Sequence, residues 1–203
     1  MKIIAAIAGL GLLTAPALAS AQTAKVGQPA PDFDAVTAGG ETISLSDFAG
    51  EAVVLEWTND GCPFVQKHYG ANNMQNLQKK MTADGTVWLS IISSAPGEQG
   101  HADAARANRL TEERGAAPTH VVLDEDGTLG RLYGARTTPH MYVVAPDGKL
   151  AYAGAIDTIA STDPADVPRA DNYVEAALGA LKAGQAVTVR QTQPYGCSVK
   201  YTG

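Results

Sequence analysis

Between Ala52 and Thr58 the chain reads AVVLEWT, an almost unbroken run of bulky apolar residues. A run of that length predicts a strand near the centre of a sheet, covered on both faces. The pattern then changes period. Over PFVQKHYGANNMQNLQKKM, Phe64, Val65, Tyr69, Met74, Leu77 and Met81 recur at helical spacing, with Pro63 suited to a first helical turn and Gly70 placed to bend the helix. TVWLSIISS predicts a second strand, GEQGHADAARANRLTEERG a polar helix ending near Gly115, and PTHVVLDEDG a third strand and turn. GTLGRLYGA suits a short helix, and TTPHMYVVAPDGKLAYAGAI reads as two strands joined at Pro-Asp-Gly. DNYVEAALGALKAG is a last amphipathic helix. Upstream, AKVGQPAPDFDAVTAGGETISLSDFAG predicts an extended lead-in and a hairpin around Gly39-Gly40. Residues 157–170, rich in Asp and Pro, read as a loop, and the tail after Gly184 has no helical period. Strands alternating with helices and closing on a hairpin predict an α/β fold, a central sheet with helices on both faces.

The first 21 residues do not belong to this pattern. MKIIAAIAGLGLLTAPALASAQ has a short basic start at Lys2, an apolar stretch from Ile3 to Leu13 and a small-residue Ala-Ser-Ala step at 19–21. That is the layout of a signal peptide over 1–21, too short in its apolar part to span comfortably. Residues 22–203 are then expected to form one domain whose C-terminal tail carries Cys197. The expected location is periplasmic or secreted, with no membrane span after cleavage.

The chain of 203 residues carries a net charge of −6, one unit more negative once Lys2 leaves with the signal. No lysine or arginine cluster stands out, which argues against a nucleic-acid partner. There are two cysteines, Cys62 and Cys197. An even count in an oxidising compartment permits a pair without requiring one.

Cys62 falls between the predicted central strand and the helix that Pro63 opens. Unsatisfied N–H groups and the helix dipole favour negative charge there, which lowers a thiol's pKa and makes a thiolate available. Such a thiolate attacks disulfides or peroxides. Glu56 interrupts the apolar strand, and a buried carboxylate with a raised pKa would suit proton relay to or from a sulfur. His140 and the arginines Arg131 and Arg136 are further candidates to face the thiolate. No G-x-S-x-G, H-E-x-x-H or phosphate loop is present, and DEDG at 124–127 lacks the ligand ladder of a calcium loop. Neither a metal nor a cofactor is expected.

The order of elements, the opening GQPAPDF followed by ISLSDFAG, and Cys62-Pro63 after the first central strand resemble the thioredoxin-fold superfamily. Within it they are similar to the exported redoxin, peroxiredoxin-like branch of AhpC/TSA type, over about Lys25 to Leu181. The resemblance implies a thioredoxin-like central mixed sheet flanked by helices, with an N-terminal redoxin-type hairpin extension. It implies that Cys62 is the attacking thiol, that Thr138-Pro139 supplies a cis-proline corner opposite it, and that Glu56, six residues before Cys62, is the buried carboxylate.

Two departures matter. Val65 stands where a C-x-x-C pair would place its second cysteine, so no local dithiol exists. The peroxiredoxin pattern P-x-x-x-T/S-x-x-C meets Leu55 at its proline and Asn59 at its threonine, with Thr58 one position off. Cys197 is the candidate for a resolving role, in a tail whose glycine and polar residues suit a mobile segment. Three functions stay open. The first is an exported thiol–disulfide oxidoreductase in which Cys62 attacks a protein or small-molecule disulfide, Cys197 resolves and an external thiol regenerates the pair. The second is a thiol peroxidase reducing hydroperoxides. The third is a non-catalytic thioredoxin-like binding protein with a structural Cys62–Cys197 disulfide.

Overall fold

The computed structural model describes residues 23–202, and the expected signal sequence over 1–21 lies outside the described residues. The lead-in forms the expected hairpin, β1 (Asp34–Thr37) and β2 (Thr42–Ser44), turning at Gly40, which takes a positive φ of 85°. The apolar run becomes β3 (Val53–Trp57), every residue of it buried. The helical stretch is broken as Gly70 suggested, into α1 (Pro63–Gly70) and α2 (Asn73–Ala83). The link turns through Asn72, whose φ is 57°. A short polar side chain tolerates this left-handed conformation better than most.

β4 (Val87–Ile92) follows, also buried throughout. The polar helix is shorter than its sequence pattern. α3 (Ala104–Glu113) begins only after Asp103, whose side chain accepts the Arg106 N–H. Residues 97–103 form a loop because Gly97 and Gly100 take φ of 87° and 83°. Then come β5 (His120–Leu123), α4 (Thr128–Tyr133), the two-residue β6 (Thr137–Thr138), β7 (His140–Val144) and β8 (Leu150–Gly154). Within the expected loop at 157–170 lies one 3₁₀ turn, Pro164–Arg169. α5 (Tyr173–Lys182) and a two-residue β9 (Cys197–Ser198) complete the chain.

Seven strands make one mixed sheet in the order β2-β1-β5-β4-β3-β7-β8. β3 pairs parallel with β4 and β4 with β5, whereas β7 runs antiparallel to β3 and β8 to β7. This is the thioredoxin-like topology with an N-terminal hairpin. One face packs Leu55, Trp57, Leu89 and Tyr142 against Leu129 and Tyr133 of α4. The other packs Val54, Trp88, Met141 and Tyr152 against α1, α2 and α5. Trp57 is a packing residue, 5.1 Å from the Tyr142 ring, and its indole N–H donates to Ser93 Oγ at 3.0 Å. β3 ends at this doubly covered centre, so whatever follows Trp57 starts from a rigid base.

The α1–α2 link generates a prediction. Asn72→Val, which forces a β-branched side chain into the left-handed region, should lower unfolding free energy by about 1–2 kcal/mol, while Asn72→Gly should be near neutral. Urea unfolding of the two variants checks this.

Candidate functional site

The chain leaves β3 through a turn whose shape is set by Asn59. Its Oδ1 accepts the Gly61 N–H at 2.9 Å and its Nδ2 donates to the Gln99 carbonyl at 3.0 Å. Gln99 Nε2 returns a bond to the Gly61 carbonyl at 3.1 Å. Gly100 has no Cβ because one would stand 2.2 Å from Asn59 atoms. The loop ahead of α3 therefore braces the turn. Cys62 closes it as the N-cap of α1, its N–H donating to the Asn59 carbonyl at 3.1 Å, with Pro63 as first helical residue.

Cys62 is fully buried, and its S–H donates to the Thr138 carbonyl 3.0 Å away. Thr138–Pro139 is a cis peptide bond. On the edge beside that bond lies the C-terminal tail: β9 pairs antiparallel with β6, Thr138 opposite Cys197 and Thr137 opposite Ser198. Gly196 makes the approach possible. Its φ is 143°, and a Cβ there would come within 2.1 Å of the Thr138 carbonyl oxygen. The Cys197 thiol thereby reaches hydrogen-bonding range of Cys62. Both cysteines are free thiols.

Burial works against ionising Cys62. Hydrogen bonds from the Cys197 thiol, the Val65 and Cys197 N–H groups and the Thr138 hydroxyl outweigh it, and hold the Cys62 pKa below its ordinary value. Cys197 moves the other way. Burial, its bond to Cys62 and the charge on Cys62 push it up to about 11. Of the two, Cys62 is therefore the more acidic sulfur and Cys197 the less acidic.

The tail is not the mobile segment its composition suggested. On one side of Cys197, Thr192 Oγ1 accepts the Ala155 N–H at 2.9 Å and bonds the Tyr152 hydroxyl at 2.6 Å. Tyr195 donates its hydroxyl to Asp157. On the other side the Val199 N–H reaches the Arg136 carbonyl at 3.0 Å, the Lys200 carbonyl accepts from Ala95, and the Tyr201 hydroxyl donates to the Ala135 carbonyl at 2.8 Å. Arg131 is used here, over the Tyr201 ring and on the Thr202 carbonyl, not at a sulfur.

Asp157 sits in a second buried cluster. Lys67 of α1, fully buried, places Nζ 3.4 Å from Asp157 Oδ2 and 2.8 Å from the Ile159 carbonyl. His68 lies between Asn73, which donates to its Nδ1 at 2.9 Å, and the Tyr195 hydroxyl, 3.3 Å from its Nε2. Burial depresses His68 to about 4, with Lys67 assisting and Asp157 opposing. A buried ion pair is a weak source of net stability but a strict one geometrically, because removing either partner strands a charge. Neither Lys67, Asp157 nor Tyr195 stood out in the sequence. The one local signal was a lysine amid the apolar positions of α1.

Glu56 is buried and drawn into its own set. It accepts from the Tyr69 hydroxyl at 2.9 Å, Gln78 Nε2 at 3.0 Å, Trp88 Nε1 at 2.8 Å and Ser90 Oγ at 3.0 Å. Burial raises its pKa, against those four bonds. Neither cysteine is among its hydrogen-bond partners. His140 is likewise turned away, its Nδ1 facing the Arg136 N–H and the Tyr142 hydroxyl, both at 3.2 Å, and burial lowers it to about 3. The structure thus brings Cys62, Cys197, Thr138 and Pro139 together. Glu56 stays behind α1, on which it holds Tyr69. Among the described residues no group of three or more His, Cys, Asp or Glu side chains converges on a metal-sized site.

The model of the AhpC/TSA family matches residues 26–153. That stretch contains Cys62 and the Thr138–Pro139 corner but stops short of Asp157, Tyr195 and Cys197. No curated protein matches the chain. Among solved structures, a hypothetical protein from Sinorhizobium meliloti 1021 superposes with a TM-score of 0.72 at 23% identity, over 90% of this chain and 97% of that one. An uncharacterized conserved protein from Geobacillus kaustophilus gives 0.74 at 24%, over 88% and 93%. The pneumococcal exposed lipoprotein thioredoxin from Streptococcus pneumoniae strain TIGR4 gives 0.51 at 23%, over 75% and 98%. At these identities the likeness is one of fold.

Two predictions follow the two buried arrangements. Gly196→Ala should push residues 196–198 off Thr138, remove the Cys197 donors from Cys62 and shift the midpoint of Cys62 alkylation against pH upward, read by peptide mass mapping. For Glu56, the folded-state pKa lies above the ordinary 4.5, so the folded protein holds that proton more tightly than the unfolded chain. Stability should fall as pH rises from 4.5 through the folded-state value. Glu56→Gln, with its amide N–H₂ toward the Tyr69 hydroxyl, should flatten that part of the profile in urea unfolding across a pH series.

Proposed function

The chain belongs to the AhpC/TSA family, and on that premise we propose that it is an exported thiol–disulfide oxidoreductase whose redox couple is Cys62 with Cys197. The observation that carries this reading is the pairing of Cys197 opposite Thr138, whose carbonyl accepts from the buried Cys62 thiol at 3.0 Å beside the Thr138–Pro139 corner. One sulfur is the more acidic and the other stands next to it, so a mixed disulfide on either is within reach of its neighbour. Closing the Cys62–Cys197 bond releases the partner's sulfur as a thiolate. An external thiol reductant restores the pair.

Each residue has a part in the scheme. The Val65 N–H and Thr138 hydroxyl lower the Cys62 pKa and favour its thiolate. The Thr138–Pro139 corner lines up the strand that carries Cys197. Glu56 acts through Tyr69, fixing the helix from whose entrance Cys62 projects. The substrate class is a protein or small-molecule disulfide. Export rests on the leader read over residues 1–21, and the domain is read as 22–203 with its tail included.

A peroxidase reading is supported by the family but not by the surroundings of Cys62. Asn59, at the threonine place, spends its Oδ1 on the Gly61 N–H and one amide N–H on the Gln99 carbonyl, so it serves to brace the turn. Insulin reduction in the presence of a small dithiol tests the proposal. The parent protein should accelerate it, and Cys62→Ser and Cys197→Ser should each reduce the rate to background, with hydrogen peroxide consumed no faster than without protein. Turnover of peroxide dependent on Cys62 would replace this reading with a peroxidase. A Cys62–Cys197 bond that withstands the dithiol would replace it with a structural staple.

A further inference from the structure

Resting on the redox couple just proposed, we infer that Lys67, Asp157 and Tyr195 are positioning residues for that couple. They seat the tail on α1, the helix that Cys62 caps, and so set how readily the Cys62–Cys197 bond closes. Among the described residues, none of the three is a hydrogen-bond partner of either thiol. They act through the backbone between Tyr195 and Cys197.

The seat is one face of α1. Phe64, Lys67 and His68 stand at i, i+3 and i+4, a spacing that puts side chains on a common helix face. All three meet Tyr195. The Phe64 and Tyr195 rings are 5.8 Å apart, Lys67 Nζ lies 5.7 Å from the centre of the Tyr195 ring, and His68 Nε2 lies 3.3 Å from its hydroxyl. That hydroxyl donates to Asp157 Oδ1, which also accepts the Ile159 N–H at 3.1 Å. Lys67 Nζ faces Asp157 Oδ2 at 3.4 Å and donates to the Ile159 carbonyl at 2.8 Å. Lys67, His68 and Asp157 are buried, so solvent does not stand in for a lost partner.

Cys197 needs such an anchor because little holds it locally. Its ribbon with β6 is two residues long, and the Thr138 hydroxyl is 3.5 Å from the Cys197 carbonyl. Gly196, between Tyr195 and Cys197, is the residue type with the widest backbone freedom, so Cys197 is placed only if Tyr195 is. Cys62, by contrast, caps α1 directly. One helix thus carries both ends of the bond, one sulfur at its entrance and the other through the tyrosine on its face. Exchange with oxidised glutathione reads this out. One protein thiol takes up a glutathionyl group and releases one reduced glutathione. The other protein sulfur then attacks the protein sulfur of that mixed disulfide. The Cys62–Cys197 bond forms, the bond to glutathione breaks, and its electron pair leaves on the glutathione sulfur, which takes up a proton. Two protein thiols are oxidised to a disulfide and one glutathione disulfide is reduced to two thiols. The seat acts on the second, internal step, whose ease depends on how closely the two sulfurs are held.

The test is to equilibrate the full chain in glutathione buffers of graded redox ratio, quench with acid and count free, glutathionylated and bridged protein by mass spectrometry. Tyr195→Phe keeps the ring and deletes the hydroxyl. It should lower the equilibrium constant for bridge formation roughly tenfold, the scale of one hydrogen bond to a charged group, and let glutathionylated protein accumulate. Lys67→Met should shift the equilibrium in the same direction. The combined variant should fall little further than Lys67→Met alone, since both residues act through one carboxylate. Leu45→Ala, a core truncation beside the N-terminal hairpin, should lower the urea midpoint and leave the glutathione equilibrium unchanged, which separates positioning from stability in general. An unchanged equilibrium in Tyr195→Phe, an equal shift in Leu45→Ala, or a combined effect equal to the product of the two single ones overturns the inference and leaves the redox couple standing. A parent protein that forms no Cys62–Cys197 bridge at any glutathione ratio overturns the couple itself, and the inference with it.

Discussion

The backbone pairing of Thr138 with Cys197 puts a second sulfur onto a thiol that the fold already places at a helix entrance. That one antiparallel contact has three consequences. It supplies an S–H and an N–H donor to Cys62, enough with Val65 and Thr138 to outweigh the cost of ionising a buried sulfur. It raises the acidity gap between the two thiols, since the proton that Cys62 gives up is hard to remove from Cys197. It also packs Cys197 against the core cluster that contains the buried Cys62. Acidity and packing at Cys62 thus share the same two-residue ribbon.

The position of Cys62 is fixed from several directions because α1 could not fix it alone. Eight residues make a helix that is marginal in isolation. Here Tyr69 is tied to Glu56 on the sheet side, and Lys67 and His68 to the Asp157–Tyr195 set. The helix entrance is tied through Asn59 to the loop before α3. Both buried polar sets satisfy their members by hydrogen bonds, which is the condition under which such groups specify geometry rather than loosen it. The second set has a further effect: its tyrosine is two residues from Cys197, so the element that locates one cysteine helps to locate the other.

Much of the fold was legible because the signals were local. The unbroken run at 52–58, the Gly39-Gly40 and Pro-Asp-Gly turns and the interruption at Gly70 each predict an element within a few residues of where it lies. The start of α3 was misread because Gly97 and Gly100 look like tolerable helix residues until their positive φ values are known. At the site, Cys62, Thr138 and Pro139 were identifiable from their place along the chain. Lys67, Asp157 and Tyr195 were not, since a buried ion pair between residues 90 positions apart leaves no periodic trace. The same reason hid the docking of the tail: its contacts are all with distant segments, and locally it reads as loose polar chain.

Glu56 combines the expected burial with a hydrogen-bond set of its own. Sequence position and burial both pointed to a carboxylate with a raised pKa, and the direction of the shift agrees. Its four donors, however, come from Tyr69, Gln78, Trp88 and Ser90. The orientation of the Gln78 amide is itself fixed, because Oε1 accepts the Ala117 N–H at 2.9 Å and so turns Nε2 toward Glu56. Those four bonds tie the carboxylate to α1, α2 and β4. Where a C-x-x-C turn would supply a second cysteine locally, chain topology brings Cys197 opposite Thr138, beside Cys62. Val65 offers Cys62 an N–H where the second cysteine would stand, and the thiol arrives from 135 residues further on. In an unfolded chain two sulfurs so far apart rarely meet. Their meeting is a property of the folded sheet and its latched tail, which makes the reactivity of this pair depend on tertiary structure in a way that a one-turn dithiol does not.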